Sequence, residues 1–173
     1  MRRVASGHGR SDHYPPGAHY HGLFDIQDVL AVAERLGWER FSLIGHSMGA
    51  VVAQLVAERY PLRGLVLLTP APLHAAIGDL WEIAKDRPVD ALGAVVGRTL
   101  SMEPEILFEG LDAETARRYS DRTQTESPLV QWELLVPRNV GPVRCPVLVV
   151  GTPSDRLVRP ADVQRTAELY GVE

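Results

Sequence analysis

Residues 43–51 of this 173-residue chain read Leu-Ile-Gly-His-Ser-Met-Gly-Ala-Val, and no other segment is as informative. The apolar residues that lead to Gly45 predict a strand, and the alanine- and valine-rich residues that follow Gly49 predict a helix. Ser47 lies between them in the pattern Gly-x-Ser-x-Gly, where larger side chains two positions either side of the serine would collide in a very tight turn. The segment therefore predicts a strand, a sharp turn that carries Ser47, and a helix.

Two further apolar segments predict the rest of a sheet. Residues 65–69 and 147–151 show no alternation of polar and apolar side chains, which is typical of parallel strands that helices cover on both faces. Helices are predicted over residues 23–36, where apolar residues recur at helical spacing, and over residues 48–60, before Pro61. The predicted fold class is therefore α/β, with a parallel sheet flanked by helices.

Residues 73–143 differ from the segments on either side because they contain no strand pattern. Short helices are predicted there at residues 74–86, from Pro88, at residues 113–122 and at residues 129–136. We expect residues 1–72 and 144–173 to form a core domain and residues 73–143 to form a helical cap. The aliphatic and aromatic side chains of the cap indicate an apolar pocket, or they serve only to pack the cap onto the core.

The chain resembles the α/β-hydrolase family along nearly its whole length. Residues 45–49 resemble the nucleophile elbow of that family, and residues 145–158 resemble its seventh strand and the loop that carries the catalytic acid. Residues 7–12, Gly-His-Gly-Arg-Ser-Asp, resemble the loop after the fourth strand, and residues 65–72 resemble the sixth strand and its exit. The resemblance implies a partial α/β-hydrolase fold with strands 5, 6 and 7 in that order and a cap inserted between strands 6 and 7.

The resemblance also implies a serine hydrolase mechanism without a cofactor. Ser47 is the expected nucleophile, and the backbone N–H of Met48 at the start of a helix is expected to provide half of an oxyanion hole. Asp155 is the expected acid, because it follows a buried strand and the sites of parallel sheets gather at the carboxyl ends of strands. The alternative is that Asp155 is only a turn residue after Pro153 and Ser154.

A general base is not evident in the sequence. Relatives carry a histidine after an eighth strand, whereas no histidine follows Asp155 here, and the loop with the second oxyanion donor is also absent. His46 is expected to pack beneath the turn, and His74 is a weaker candidate base. We therefore expect a hydrolase sequence truncated at both ends and inactive as a fragment. No metal site is expected, because zinc-like spacing is missing from the N-terminal histidines His8, His13, His19 and His21.

The composition excludes several classes of function. A net charge of −4 and the absence of a basic stripe argue against nucleic-acid binding, and no apolar run is long enough to span a membrane. Cys145 is the only cysteine, so no intrachain disulfide is expected, and this suits a reducing cytoplasm. Cys145 itself is interpreted as a small buried apolar residue rather than a reactive thiol.

Three functions remain open at this point. The first is hydrolysis of an ester, lactone or related small acyl compound through an acylated Ser47. The second keeps the family and changes the chemistry to cofactor-free perhydrolase or haloperoxidase-like activity, or to C–C bond hydrolysis. The third is a non-catalytic module that binds a ligand or a partner. Because strands 3 and 8 of the family have no counterpart here, both edges of the sheet are expected to be bare and to promote self-association.

Overall fold

The computed structural model describes residues 26–73, 85, 107–108, 110–123, 128–155 and 157–172. In chain order its elements are α1 (Ile26–Arg35), β1 (Ser42–His46), α2 (Met48–Arg59), β2 (Gly64–Leu68), α3 (Ala113–Ser120), α4 (Pro128–Leu135), β3 (Val147–Val150) and α5 (Pro160–Leu169). Within these residues the strands form a parallel sheet in the order β1-β2-β3. The predicted α/β class and the predicted order of the three strands are confirmed.

The three strands end in register at one edge of the sheet. His46 is paired with Leu68, and Leu68 is paired with Val150, so the last residues of β1, β2 and β3 lie side by side. Because all three strands run in the same direction, the segments that follow them all emerge at this edge. Any site built from those segments is therefore positioned by the sheet itself.

One face of the sheet carries the core. Leu65 and Leu67 of β2 are 1% and 0% exposed, and α2 packs against β1 and β2 while α5 packs against β3. The sequence of α2 is apolar almost all round, and its buried residues accordingly include both sides of the helix. The helix α1 packs against α2. The helix predicted over residues 48–60 is therefore the central helix of the core.

A buried polar contact ties two of these helices together. Gln54 of α2 is 0% exposed, and its amide nitrogen donates to the carbonyl oxygen of Ala50 at 3.0 Å. The hydroxyl of Tyr170, at the end of α5, donates to the Gln54 side-chain oxygen at 2.9 Å. Both ends of the buried amide are therefore satisfied, as a polar group in a core requires.

The opposite face of the sheet is largely exposed. Ile44 of β1 is 66% exposed, and Leu148 and Val150 of β3 are 54% and 42% exposed. The described helices that contact the sheet, α2 and α5, lie on the same face, since Gln54 and Tyr170 are hydrogen-bonded to each other. The apolar pattern of the strands predicted helices on both faces of the sheet. In the described residues, helices cover one face only.

The described part of the predicted cap is helical. The helices α3 and α4 match the segments predicted at residues 113–122 and 129–136, and the Asp112 carboxylate caps α3 by accepting from the Thr115 N–H at 2.9 Å. Val130 of α4 is 0% exposed, so this helix is anchored in the interior. The predicted helices near residues 74–86 and after Pro88 lie outside the described residues, apart from helical Lys85. The division into core and cap stays a prediction. None of the helices in the described ranges is both long and apolar enough to cross a bilayer.

Candidate active site

Ser47 occupies a strained turn between β1 and α2. Its φ is 50° and its ψ is −120°, a region that residues other than glycine rarely adopt. Backbone strain of this kind costs on the order of 1–3 kcal/mol and persists only where the surrounding structure enforces it. The sharp turn predicted at Ser47 is present, and its enforcement by the fold makes this turn a candidate functional site.

The two glycines of the motif are not equivalent. A Cβ atom on Gly45 would lie 2.5 Å from the Gly49 carbonyl oxygen, 2.6 Å from the Ala50 Cα and 2.8 Å from the Ala53 Cβ. Since two of these are backbone atoms of the neighbouring helix, only glycine fits at position 45. A Cβ on Gly49 would meet nothing within 4 Å. The collision predicted for both positions therefore holds for Gly45 alone.

Backbone hydrogen bonds fix the turn from two directions. The Ser47 N–H donates to the Leu68 carbonyl oxygen at 3.0 Å, which extends the pairing of β1 with β2 by one residue. The Ser47 carbonyl oxygen accepts from the N–H groups of Ala50 at 3.0 Å and Ala71 at 3.2 Å. Ala71 belongs to the segment after β2, and no sequence signal indicated that it would hold this turn.

The Ser47 side chain does not cap the helix that it precedes. Serine at this position usually accepts a hydrogen bond from the first turn, but α2 has no side-chain cap from Ser47 and no acidic residue in its first turn. Met48 is the first residue of α2, and the N–H groups of a first helical turn have no acceptor within the helix. A donor and the positive end of the helix dipole thus lie directly beside the half-buried serine.

Asp155 organises the loop that follows β3. Its Oδ1 accepts hydrogen bonds from the N–H groups of Leu157 at 2.8 Å and Val158 at 2.9 Å. Its Oδ2 accepts no hydrogen bond within the described part of the chain. One carboxylate oxygen therefore stabilises the turn, and the other can accept a hydrogen bond from another donor. The two readings of Asp155 in the sequence are structurally compatible.

The loop of Asp155 is held at the sheet edge by close packing of α5. A Cβ on Gly151 would lie 2.7 Å from a methyl carbon of Val163, so α5 approaches the end of β3 more closely than a side chain at position 151 permits. Since β2 lies between β1 and β3, Ser47 and Asp155 follow the two outer strands at the same edge of the sheet. A catalytic pairing of these two residues stays a prediction.

Thr69 is a second strained residue at this edge. Its φ is 37°, which is unusual for a β-branched side chain, and its N–H donates to the Val150 carbonyl oxygen at 2.7 Å. Thr69 follows β2, and the neighbouring residue of β2, Leu68, accepts from Ser47. The exits of β1 and β2 are thus both strained. A Thr-Pro pair after an apolar strand was too weak a signal to predict this.

The structure describes one histidine, His46, and places it differently from the prediction. Its side chain is exposed, because position 46 follows Ser42 and Ile44 on the uncovered face of the sheet, so the predicted packing beneath the turn is wrong. His74, His8, His13, His19, His21 and the segment 7–12 lie outside the described residues. Among the residues that are described, His, Cys, Asp and Glu form no cluster of three that would hold a metal ion.

Cys145 lies just before β3, near the interior. It is half-buried, and burial raises the pKa of its thiol, with an opposing effect from the positive charge of Arg40. A raised pKa keeps the sulfur protonated and poorly nucleophilic at neutral pH. These properties agree with the interpretation of Cys145 as a packing residue.

Comparison with known proteins identifies related sequences. The model of the α/β hydrolase family matches residues 4–173. A serine hydrolase-like protein from Danio rerio is 48% identical over 64 residues, which are 36% of this chain and 20% of that protein. A serine hydrolase-like protein from Homo sapiens is 32% identical over 103 residues, 59% of this chain and 51% of that protein. The chain thus spans from about a fifth to about half of the length of these two relatives.

Solved structures resemble the chain over nearly all of its length. A hypothetical protein, PA1622, from Pseudomonas aeruginosa has 29% identity and a TM-score of 0.55, and the match covers 97% of this chain and 69% of that chain. A monoacylglycerol lipase from Paleococcus ferrophilus has 19% identity and a TM-score of 0.63, with 97% and 67% coverage. At 19% identity the second match supports a shared fold and nothing more.

Proposed function

Because the chain belongs to the α/β-hydrolase family, we propose that it carries the nucleophile of a serine hydrolase that acts on an ester, a lactone or a related small acyl compound. The observation that carries this proposal is the strained backbone of Ser47, with φ of 50°, at the start of α2. Folds retain such strain where a side chain must be held in one orientation. The hydrolase level of the proposal also agrees with the serine hydrolase-like relatives.

In the proposed reaction the Ser47 hydroxyl oxygen attacks the substrate carbonyl carbon while a general base removes the hydroxyl proton. The carbonyl oxygen becomes an oxyanion, and the Met48 N–H at the start of α2 donates to it. Collapse of this intermediate expels the alcohol and leaves an acyl ester on Ser47. The base gives its proton to the departing alcohol, and it then takes a proton from a water molecule that attacks the acyl ester. The acid is released as the base returns this proton to the Ser47 oxygen, so no cofactor is required.

Asp155 is the proposed partner of the base. In such a triad the carboxylate accepts a hydrogen bond from the imidazole, selects its tautomer and stabilises its positive form. The bonds from Leu157 and Val158 would hold the Asp155 carboxylate in place, and its Oδ2 is the oxygen left for the imidazole. No histidine follows Asp155 in the sequence, so we expect negligible turnover from the 173-residue chain alone.

A second candidate function is a non-catalytic binding module. The observation that favours it is the position of His46, the one histidine in the described residues, which is exposed on the uncovered face of the sheet. Perhydrolase-like chemistry and C–C bond hydrolysis would use the same Ser47 and differ only in the substrate and the final acceptor. The binding module differs more sharply, because Ser47 would then have no chemical role.

Chemical rescue separates these candidates. Imidazole added to the solution can replace a missing histidine, so incubation of the chain with a short-chain activated ester and imidazole should acylate Ser47. Intact-mass spectrometry and peptide mapping would detect one acyl group on the peptide that contains Ser47. The Ser47→Ala variant, under identical conditions, controls for the direct reaction of imidazole with the ester. Equal acylation of both proteins would contradict the proposal and favour the binding module.

A further inference from the structure

The segment that follows β2 supplies a single backbone donor to the turn of Ser47. Residues 69–72 read Thr-Pro-Ala-Pro, and proline has no backbone N–H. Ala71 therefore provides the only N–H between Thr69 and Leu73, and it donates to the Ser47 carbonyl oxygen at 3.2 Å. Ala71 is 8% exposed and Pro70 is fully buried, so this contact lies in the interior.

This bond departs from the regular pairing of β1 with β2. The Ser47 N–H donates to the Leu68 carbonyl oxygen, and the bonding residues of a parallel pair alternate along each strand. Regular pairing would therefore present the N–H of residue 70 to the Ser47 carbonyl oxygen, but residue 70 is proline. The donor is instead one residue further along the chain. The strained backbone of Thr69, with φ of 37°, coincides with this change of donor.

The Ser47 carbonyl group and the Met48 N–H belong to the same peptide unit. A trans peptide is planar, and its C=O and N–H point in opposite directions, so whatever fixes the direction of the carbonyl also fixes that of the N–H. The Ser47 carbonyl oxygen accepts from Ala50 at 3.0 Å and from Ala71 at 3.2 Å. Ala50 belongs to α2 and moves with it, whereas Ala71 ties this peptide to the sheet.

The geometry points to Ala71 as a positioning residue, whose N–H holds the Met48 N–H in the direction that an oxyanion donor requires. This inference rests on the proposed function, in which the Met48 N–H donates to the oxyanion. Such donors stabilise a transition state because they are oriented in advance and need no reorganisation when charge develops. Ala71 acts through the Ser47–Met48 peptide and does not itself touch the substrate.

The Ala71 N–H can be removed without a change of side chain. L-lactic acid has the methyl group of alanine and an ester oxygen in place of the N–H, and nonsense suppression or semisynthesis introduces it at position 71. L-lactic acid in place of Ala116 is the matched control. The Ala116 N–H donates to the Asp112 carbonyl oxygen at 2.9 Å, outside the segments that hold Ser47. Circular dichroism establishes whether both variants are folded.

Labelling with [15N]methionine reports on the Met48 N–H directly. The chain has three methionines, and Met48→Leu identifies the signal of Met48 by its disappearance. The NMR order parameter of this N–H should be about 0.85 in the parent chain and below about 0.6 in the Ala71 variant. The Ala116 variant should retain the parent value. An equal order parameter in all three proteins would overturn the inference.

A kinetic measurement separates positioning from stability. With imidazole and a short-chain activated ester, the Ala71 variant should acylate Ser47 about tenfold more slowly at saturating ester, with an unchanged half-saturating concentration. The expected loss is smaller than the roughly 10²–10³-fold that removal of an oxyanion donor costs. The Ala116 variant should keep the parent rate. A less stable Ala71 variant with the parent rate and a rigid Met48 N–H would show a structural role alone and overturn the inference.

A measurement on the unmodified chain keeps the inference testable if the Ala71 variant does not fold. NMR detects the scalar coupling that a hydrogen bond transmits between the Ala71 nitrogen and the Ser47 carbonyl carbon. This coupling, together with a rigid Met48 N–H, would support the inference. Absence of the coupling, or a flexible Met48 N–H, would overturn it.

The proposed function is decided separately. If the parent chain is not acylated at Ser47, and the Met48 N–H becomes flexible only in the Ala71 variant, the hydrolase activity is lost and the positioning of the donor is retained. If the parent chain and the Ala71 variant are acylated at the same maximal rate, the proposed function is retained and the inference is overturned.

Discussion

The two faces of the sheet are built from equally apolar residues and have opposite environments. On one face Leu65 and Leu67 are 1% and 0% exposed beneath α2. On the other face Ile44 and Leu148 are 66% and 54% exposed. Alternate residues along the same strands thus pass from the core to solvent, although the sequence does not alternate between apolar and polar residues.

The amino-acid composition of a strand and the solvent exposure of its two faces are therefore separate properties. A parallel sheet is normally covered on both faces, and its strands are apolar on both sides for that reason. In the described residues α2 and α5 cover one face. The other face is equally apolar, but its side chains are exposed. The candidate site depends on the covered face, because α2 holds Ser47 and α5 holds the Asp155 loop. Substitutions on the two faces should therefore differ in their effects.

The largest effect is expected from Gly45→Val on the covered face. Its side chain would overlap the backbone of Gly49 and Ala50, which cannot move without displacing α2. We expect a loss of about 4 kcal/mol or more in the free energy of unfolding, which is enough to unfold a chain of ordinary stability. Gly49→Ala is the matched control, since a Cβ there meets nothing within 4 Å. Urea denaturation followed by circular dichroism measures both, and equal losses would contradict the geometry at Gly45.

A matched pair of leucines compares the two faces directly. Leu67→Ala removes a fully buried side chain from the covered face and should lower the free energy of unfolding by about 2–5 kcal/mol. Leu148→Ala, on the exposed face, should change it by about 0.5 kcal/mol. The same urea experiment tests both variants. A comparable loss at Leu148 would mean that something covers this face in solution.

The exposed face of the sheet provides a specific test of the predicted self-association. In the described residues β1 and β3 are the outer strands, and the exposed apolar residues Ile44 and Leu148 lie on them. The double variant Ile44→Glu with Leu148→Glu should lower the weight-average mass in sedimentation equilibrium towards that of one chain, because like charges oppose pairing. The control Leu36→Glu with Leu169→Glu places the same charges on exposed leucines away from the sheet, and it should leave the mass unchanged. A monomeric parent chain would contradict the prediction.

The smallest effect is expected at the edge of the covered core. Tyr170→Phe removes the hydrogen bond to the buried side chain of Gln54 and should cost about 1 kcal/mol. Tyr119→Phe, at a residue 42% exposed, is the control and should be neutral. Thermal or urea unfolding at neutral pH resolves the difference. An equal change in both variants would show that the Tyr170 bond does not stabilise the fold.

The pH dependence provides a second readout for Tyr170. Burial, with smaller contributions from Cys145 and Glu58, raises the pKa of Tyr170 from 10.0 to about 12. A raised pKa in the folded state means that folding favours the neutral phenol, so its contribution to stability is complete below pH 10 and is lost as the pH rises towards about 12. The difference in stability between the parent chain and Tyr170→Phe should therefore shrink over this interval. A constant difference would contradict the pKa shift.

Local features of the sequence were sufficient to predict most of the fold. The Gly-x-Ser-x-Gly motif predicted the turn of Ser47, the apolar segments predicted β2 and β3 within a residue, and Pro61 predicted the end of α2. These features are readable because steric limits on the backbone and the period of a helix or strand act over a few neighbouring residues. The parallel order of the strands also follows from the family resemblance.

Features that depend on distant residues were not predictable in this way. The exposure of His46, the hydrogen bond from Ala71 to Ser47 and the strain of Thr69 each depend on which segment lies opposite. The type of an amino acid indicates only which environment suits it. Its exposure and its partners are set by the chain segments that folding brings together. Ile44 suits a covered face and Gly49 suits a crowded turn, and the packing of the whole chain leaves both in the open.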